Sequence, residues 1–78
     1  MTPVKLIEDV TDIRGVTVRA GSLAWIRREY LVNAGQLIRL DLEDFNGSLM
    51  LSCIRPEQVK ILNGPLAIAM KEVLKEVR

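Results

Sequence analysis

Gly15-Val16-Thr17-Val18-Arg19-Ala20-Gly21-Ser22-Leu23-Ala24-Trp25-Ile26 is the stretch whose reading decides the fold. Val16 and Val18 alternate with Thr17 and Arg19, the period of a half-buried strand. Ala20-Gly21-Ser22 is a tight corner, where Gly21 supplies a backbone conformation that a Cβ makes costly. Beyond the corner a second strand places Ala24 and Ile26 on one face, with Leu23 and Trp25 on the other.

The flanking chain continues the pattern. Residues 4–7 read as a first strand, and residues 8–12 as a turn, because Asp9, Thr11 and Asp12 favour side chain-to-backbone bonds. The strand from 23 to 33 is polar on both faces at Arg27-Arg28-Glu29, so it bends there. Asn33-Ala34-Gly35-Gln36 is a hairpin connection, with Asn33 and Gly35 suited to positive φ. Residues 37–42 alternate Ile38, Leu40 and Leu42 against Leu37, Arg39 and Asp41. Asn46-Gly47 predicts a type I′ turn into a strand over 48–54. Pro56 ends that strand. Residues 55–58 then form one helical turn, and 59–62 a last short strand. Asn63-Gly64-Pro65 opens a helix with proline at its first position. Leu66, Met70, Val73, Leu74 and Val77 form its apolar stripe, opposite Lys71, Glu72, Lys75 and Glu76.

The totals bound what such a chain does. With 78 residues it is one domain, and a domain of this size buries only about 60% of its unfolded surface. Apolar residues make up 49% of the chain, which argues against disorder. No apolar run approaches the roughly 20 residues of a membrane span. The N-terminus has neither the charged start nor the apolar run of a signal peptide, so a cytoplasmic location without membrane contact is expected. Eleven basic and ten acidic residues leave a net charge of +1, too balanced to indicate nucleic acid by charge alone. The single cysteine, Cys53, forms no internal disulfide. The absence of histidine removes the commonest general base and the commonest nitrogen ligand of zinc.

Five short strands, a glycine corner after the second and a one-turn helix before the last resemble an SH3-like small barrel. The resemblance is carried by residues 15–26, by Ile38-Arg39-Leu40-Asp41-Leu42 and by Ile54-Arg55-Pro56-Glu57-Gln58-Val59. The layout is similar to that of small bacterial SH3-like proteins of unknown function. It also resembles the small accessory barrel of photosystem I, the barrels of nitrile hydratase β-chains and KOW-type domains, which often carry glycine where this chain has Ala24. Several of those barrels are docking modules, so the resemblance implies a binding role. The expected architecture is an all-β, five-stranded SH3-like barrel over residues 1–62, with an amphipathic helix over 63–78 packed on the barrel or on a partner.

No set of residues predicts an enzyme. Asp41, Glu43 and Asp44 read as a solvated rim, and Cys53 as core filler without a base to activate it. No catalytic residue, metal ligand or cofactor is expected. Trp25 fits two roles: packing beneath the helix or at one end of the barrel, or standing exposed as an interface anchor. The first functional expectation is a non-catalytic module that holds a protein partner or its own copy, giving a homo-oligomer. Its contact residues are then Leu23, Trp25, Leu66, Met70, Val73, Leu74 and Val77. The alternative is a single-stranded nucleic-acid surface made by Arg27, Arg28, Tyr30 and Arg39, in which arginine meets phosphate and the ring stacks on bases. Against it stands the pairing of these arginines with Glu29, Asp41 and Glu43 on a solvated face.

Overall fold

The computed structural model describes residues 1–77, and side chains for residues 1–73. The strands are Thr2–Leu6 (β1), Val10–Thr11 (β2), Thr17–Val18 (β3), Leu23–Leu31 (β4), Leu37–Glu43 (β5), Leu49–Ile54 (β6) and Val59–Ile61 (β7). An α-helix, α1, spans Pro65–Val77, and single 3-10 turns lie at Asn33–Gly35 and Pro56–Gln58. The corner at Gly21 forms as the sequence requires, at φ 88°. Its N–H donates to Leu6 O at 2.8 Å, which ties the corner to the end of β1.

Five strands make one antiparallel sheet in the order β6-β5-β4-β1-β7. The expected closed barrel is not formed: β6 and β7 are the two edges of this sheet, and β2 pairs only with β3. The physical reason lies in residues 8–12. Their polar turn leaves β2 only two residues long, too short to bridge the edges as a strand. The β2–β3 hairpin instead lies against β6 and is held there by side chains. Arg14 Nη2 donates to Met50 O at 3.0 Å, and Asp12 accepts the Ser52 N–H at 2.8 Å.

The inward face of the sheet and the hairpin enclose Val4, Leu6, Val10, Ala24, Leu40, Leu42, Leu51 and Ile54, all at most 3% exposed. Trp25, Ala67 and Met70 are buried too, at 0%, 5% and 3%, but lie outside that cluster. The register explains why. Pro3, Trp25 and Glu43 are direct partners across β1, β4 and β5, on the face opposite Val4, Ala24 and Leu42. The helix packs on β1 and buries Ala67 and Met70. A second, thinner apolar layer thus covers the back of the sheet, with Phe45 edge-on to Trp25 at 6.0 Å between ring centres.

This layer corrects the expected docking set. Trp25 is wholly enclosed and presents nothing to a partner, Met70 is spent on the same layer, and Leu23 is half-buried. The helix is turned so that Ala67, which has no bulk beyond Cβ, faces in. Leu66 and Val73 remain 45% and 40% exposed at the flank. Leu74 and Val77 fall outside the described side chains.

Two hairpin connections differ in detail from expectation. Between β4 and β5, Ala34 (φ 69°) and Gly35 carry the positive φ, rather than Asn33. After β5, Gly47 alone of the Asn-Gly pair has positive φ. Asp44 O accepts Gly47 N–H, and Ser48 O accepts Asp44 N–H. This is a three-residue loop, a type I turn with a glycine bulge, and not the type I′ turn. Asp44 Oδ1 selects it by accepting both the Asn46 and Ser48 N–H groups at 2.9 Å.

Candidate functional site

The β5–β6 ladder slips where chemistry-bearing residues gather. Leu40 faces Ile54 and Leu42 faces Leu51, so two residues, Ser52 and Cys53, oppose the single Asp41. The bulge puts Cys53 at φ 55°, a left-handed conformation disfavoured for a residue with a Cβ. It also turns two successive N–H groups out of the ladder. Each finds a carboxylate: Ser52 N–H donates to Asp12 Oδ2, and Cys53 N–H to Asp41 Oδ1 at 2.9 Å.

Asp41 and Glu43 are therefore not a solvated rim. They are 8% and 6% exposed. The second oxygen of Asp41 accepts the Tyr30 hydroxyl at 2.8 Å. Asp12 is buried likewise. Its Oδ1 accepts Arg14 N–H at 2.9 Å and Val16 N–H at 3.1 Å, and its Oδ2 also takes Arg14 Nε–H at 2.9 Å. Burial alone pushes the Asp12 carboxyl up. The hydrogen bonds from Ser52, Arg14 and Val16 outweigh it and hold the group at about 2, against an ordinary 3.8.

Tyr30 and its neighbours form the exposed side of this cluster. Arg28 and Tyr30 on β4 are partnered across the ladder by Asp41 and Arg39 on β5, all on the face opposite Leu40 and Leu42. The Arg28 guanidinium lies over the Tyr30 ring, 4.7 Å from its centre, in a cation–π contact. Arg39 Nη1 donates to its neighbour's carbonyl, Ile38 O. No ion pair with Glu29, Asp41 or Glu43 forms at Arg39 among the described residues; the close ion pairs are Arg14–Asp12 at 2.9 Å and Arg55–Glu57 at 3.6 Å. Arg27 is the extra residue at the β4 bulge and is exposed. Of the four residues expected to meet nucleic acid, the fold thus gathers Arg28, Tyr30 and Arg39 on one face. The far end of the same β4–β5 arm exposes Leu31, Val32 and Ile38 at 57%, 41% and 37%.

Beside the bulge is an open depression of about 340 Å³, lined among others by Asp12, Ile13, Arg39, Cys53, Arg55 and Gln58. Cys53 is accordingly not core filler but a half-buried wall of this depression. No local pattern announces it, since the bulge depends on N–H bonds to the carboxylates of Asp12 and Asp41, which lie outside β6. A turn-forming aspartate with apolar residues close on both sides, as in Val10-Thr11-Asp12-Ile13, is the signal available for a buried carboxylate.

The lone tyrosine gives a clean test of this cluster. The hydrogen bond to Asp41 foremost, then burial and the Asp41 charge, raise the Tyr30 phenol above its ordinary 10, with Arg28 opposing. A raised folded-state value means that the stabilisation is complete below pH 10 and is lost as pH rises through that higher value. Absorbance titration of the phenolate is expected to show a midpoint above that of free tyrosine, and Asp41→Asn to move it down. A midpoint unchanged by Asp41→Asn contradicts the bond. Among the described residues no group of three or more acidic or cysteine side chains is placed to hold a metal, and no helix is long and apolar enough to cross a membrane. Comparisons with protein-family models, curated proteins and solved structures return no match.

Proposed function

We propose that the chain is a non-catalytic binding module of the SH3-like kind, whose contact surface is the outer face and tip of the β4–β5 arm. Its occupant is a protein segment that pairs acidic side chains with apolar ones. The observation that carries this reading is the presentation of Arg28 and Arg39 on one face of an arm whose tip exposes Leu31, Val32 and Ile38. Arginine forks match carboxylates, and exposed aliphatics at a rim supply desolvated area for a partner's apolar residues. Trp25 and Met70 take no part, both being buried.

Amide NMR spectra titrated with a short peptide of alternating leucine and glutamate test it. Shifts clustered at residues 28–32 and 37–39 are expected, and Ile38→Glu is expected to abolish them. Shifts confined to the helix, or none, overturn the assignment. Light scattering gives the self-association arm: a dimer broken by Val73→Glu but not by Ile38→Glu moves the contact surface to the exposed helix flank.

A second reading, single-stranded nucleic acid on the same face, is favoured by the Arg28–Tyr30 stack, which offers a cationic platform for a base. Binding of oligothymidylate that weakens steeply with salt, at concentrations where the peptide is inert, selects it.

A further inference from the structure

We infer that the depression beside the β6 bulge is an oxyanion subsite that seats one carboxylate of a protein ligand between Arg39 and Arg55. This rests on the binding-module reading for the identity of the ligand. The depression itself stands on its own geometry.

Three features point to an anion. First, donors without a firm partner converge there. Arg39 commits one N–H to Ile38 O and forms no ion pair among the described residues. Arg55 is held only by Glu57 at 3.6 Å, with both side chains more than half exposed, a pair loose enough for an incoming carboxylate to displace. Gln58 uses its carbonyl Oε1 to accept Arg55 N–H at 3.0 Å, so its side-chain amide N–H groups remain to donate.

Second, the acidic wall does not repel an anion as its charge suggests. Both Asp12 oxygens are filled by donors from Arg14, Val16 and Ser52, and its charge is matched by the Arg14 guanidinium in contact with it. Asp41, beneath the bulge, is turned to Tyr30 and the Cys53 N–H and does not line the depression.

Third, the site is set for a peptide more than for a phosphate chain. Ile13, 75% exposed, stands on the rim. It offers an aliphatic contact beside the two guanidinium groups. Glu57 next to Arg55 interrupts the run of positive charge that a polynucleotide backbone needs. A single acidic side chain with an apolar neighbour satisfies both features. Arg39 belongs to the arm face and to the depression, so one extended segment reaches both.

The experiment uses the full chain. The probes are the leucine–glutamate peptide, its leucine–glutamine counterpart, inorganic phosphate and oligothymidylate. The readout is the shift of the Gln58 side-chain amide and of the Arg39 and Arg55 Nε–H signals. The glutamate peptide is expected to move all three, and the glutamine peptide none. Phosphate is expected to compete with the glutamate peptide. Arg39→Gln and Arg55→Gln are each expected to weaken the peptide about tenfold, the scale of one charge-assisted hydrogen bond. Both side chains are exposed, and unchanged amide spectra elsewhere verify the fold. Equal response to both peptides, wild-type affinity in both variants, or tighter binding of oligothymidylate overturns the inference. If residues 28–32 shift while the Gln58 amide stays still, the subsite falls and the binding module stands. If the Gln58 amide shifts alone, the arm is wrong and the subsite survives.

Discussion

Asp12→Ala is expected to lower the stability of the protein by about 2–4 kcal/mol, the scale of two part-buried backbone donors losing their acceptor. The substitution strands the part-buried N–H groups of Val16 and Ser52, and a donor left unpaired away from water costs about 1–3 kcal/mol. It also leaves Arg14 without its carboxylate, and Arg14 is the other tie from the hairpin to β6, through Met50 O. Against a typical total of about 5–15 kcal/mol for a small domain, this is a large share. Urea unfolding with the far-ultraviolet signal measures it, and a loss below about 1 kcal/mol, the net worth of one ordinary hydrogen bond, contradicts the role assigned to Asp12. The same residue sets an acid limb. Its folded-state value of about 2 lies below the ordinary 3.8, so its contribution is complete above about pH 4 and is lost as pH falls through 2. Asp12→Asn is expected to be less stable at neutral pH and to show a flatter decline over that window.

Trp25→Ala is the second large effect. The side chain is fully enclosed between the back of the sheet and its cover, with Phe45 against its ring. Truncating a buried tryptophan to alanine costs about 3–5 kcal/mol, because the lost contact area is compounded by an unfilled cavity. Trp25→Phe, which keeps most of the apolar volume, is expected to cost much less. It removes the buried indole Nε1–H, which has no acceptor among the described residues. An exposed anchor predicts no stability change for the alanine variant, so its unfolding altogether also excludes that role.

Much of this fold is legible in the sequence because its signals are local. The alternation at 37–42 marks β5, Pro56 marks the end of β6, and Gly64-Pro65 places the start of the helix. Gly21 forms the corner at the predicted place. The larger differences share a cause: each depends on residues outside the local segment, whereas the two hairpin loops differ through their own residues. Asp41 sits at an outward strand position, which in isolation reads as solvated. Only the bulge in β6 and the hydroxyl of Tyr30 bury it. Trp25 likewise lies on the outward face of β4, and periodicity does not say that this face is enclosed. Closure of the sheet is the natural expectation because it removes edges. A two-residue β2 cannot achieve it, and carboxylate bonds take the place of a ladder. Arg28 and Arg39 stand out in the sequence as candidate contacts. That they share one face, next to Arg55 at a depression, follows from the β4–β5 pairing and the bulge.

Trp25, Ala67 and Met70 are interior, and the contact face we propose lies instead on the β4–β5 arm. Iodide quenching of the single tryptophan's emission, followed over a dilution series, tests that division most directly. The structure predicts a blue-shifted emission that iodide barely quenches at every protein concentration. A red-shifted, freely quenched emission, or one that becomes so on dilution, would return Trp25 to the surface and remove the basis for placing the binding face on the arm.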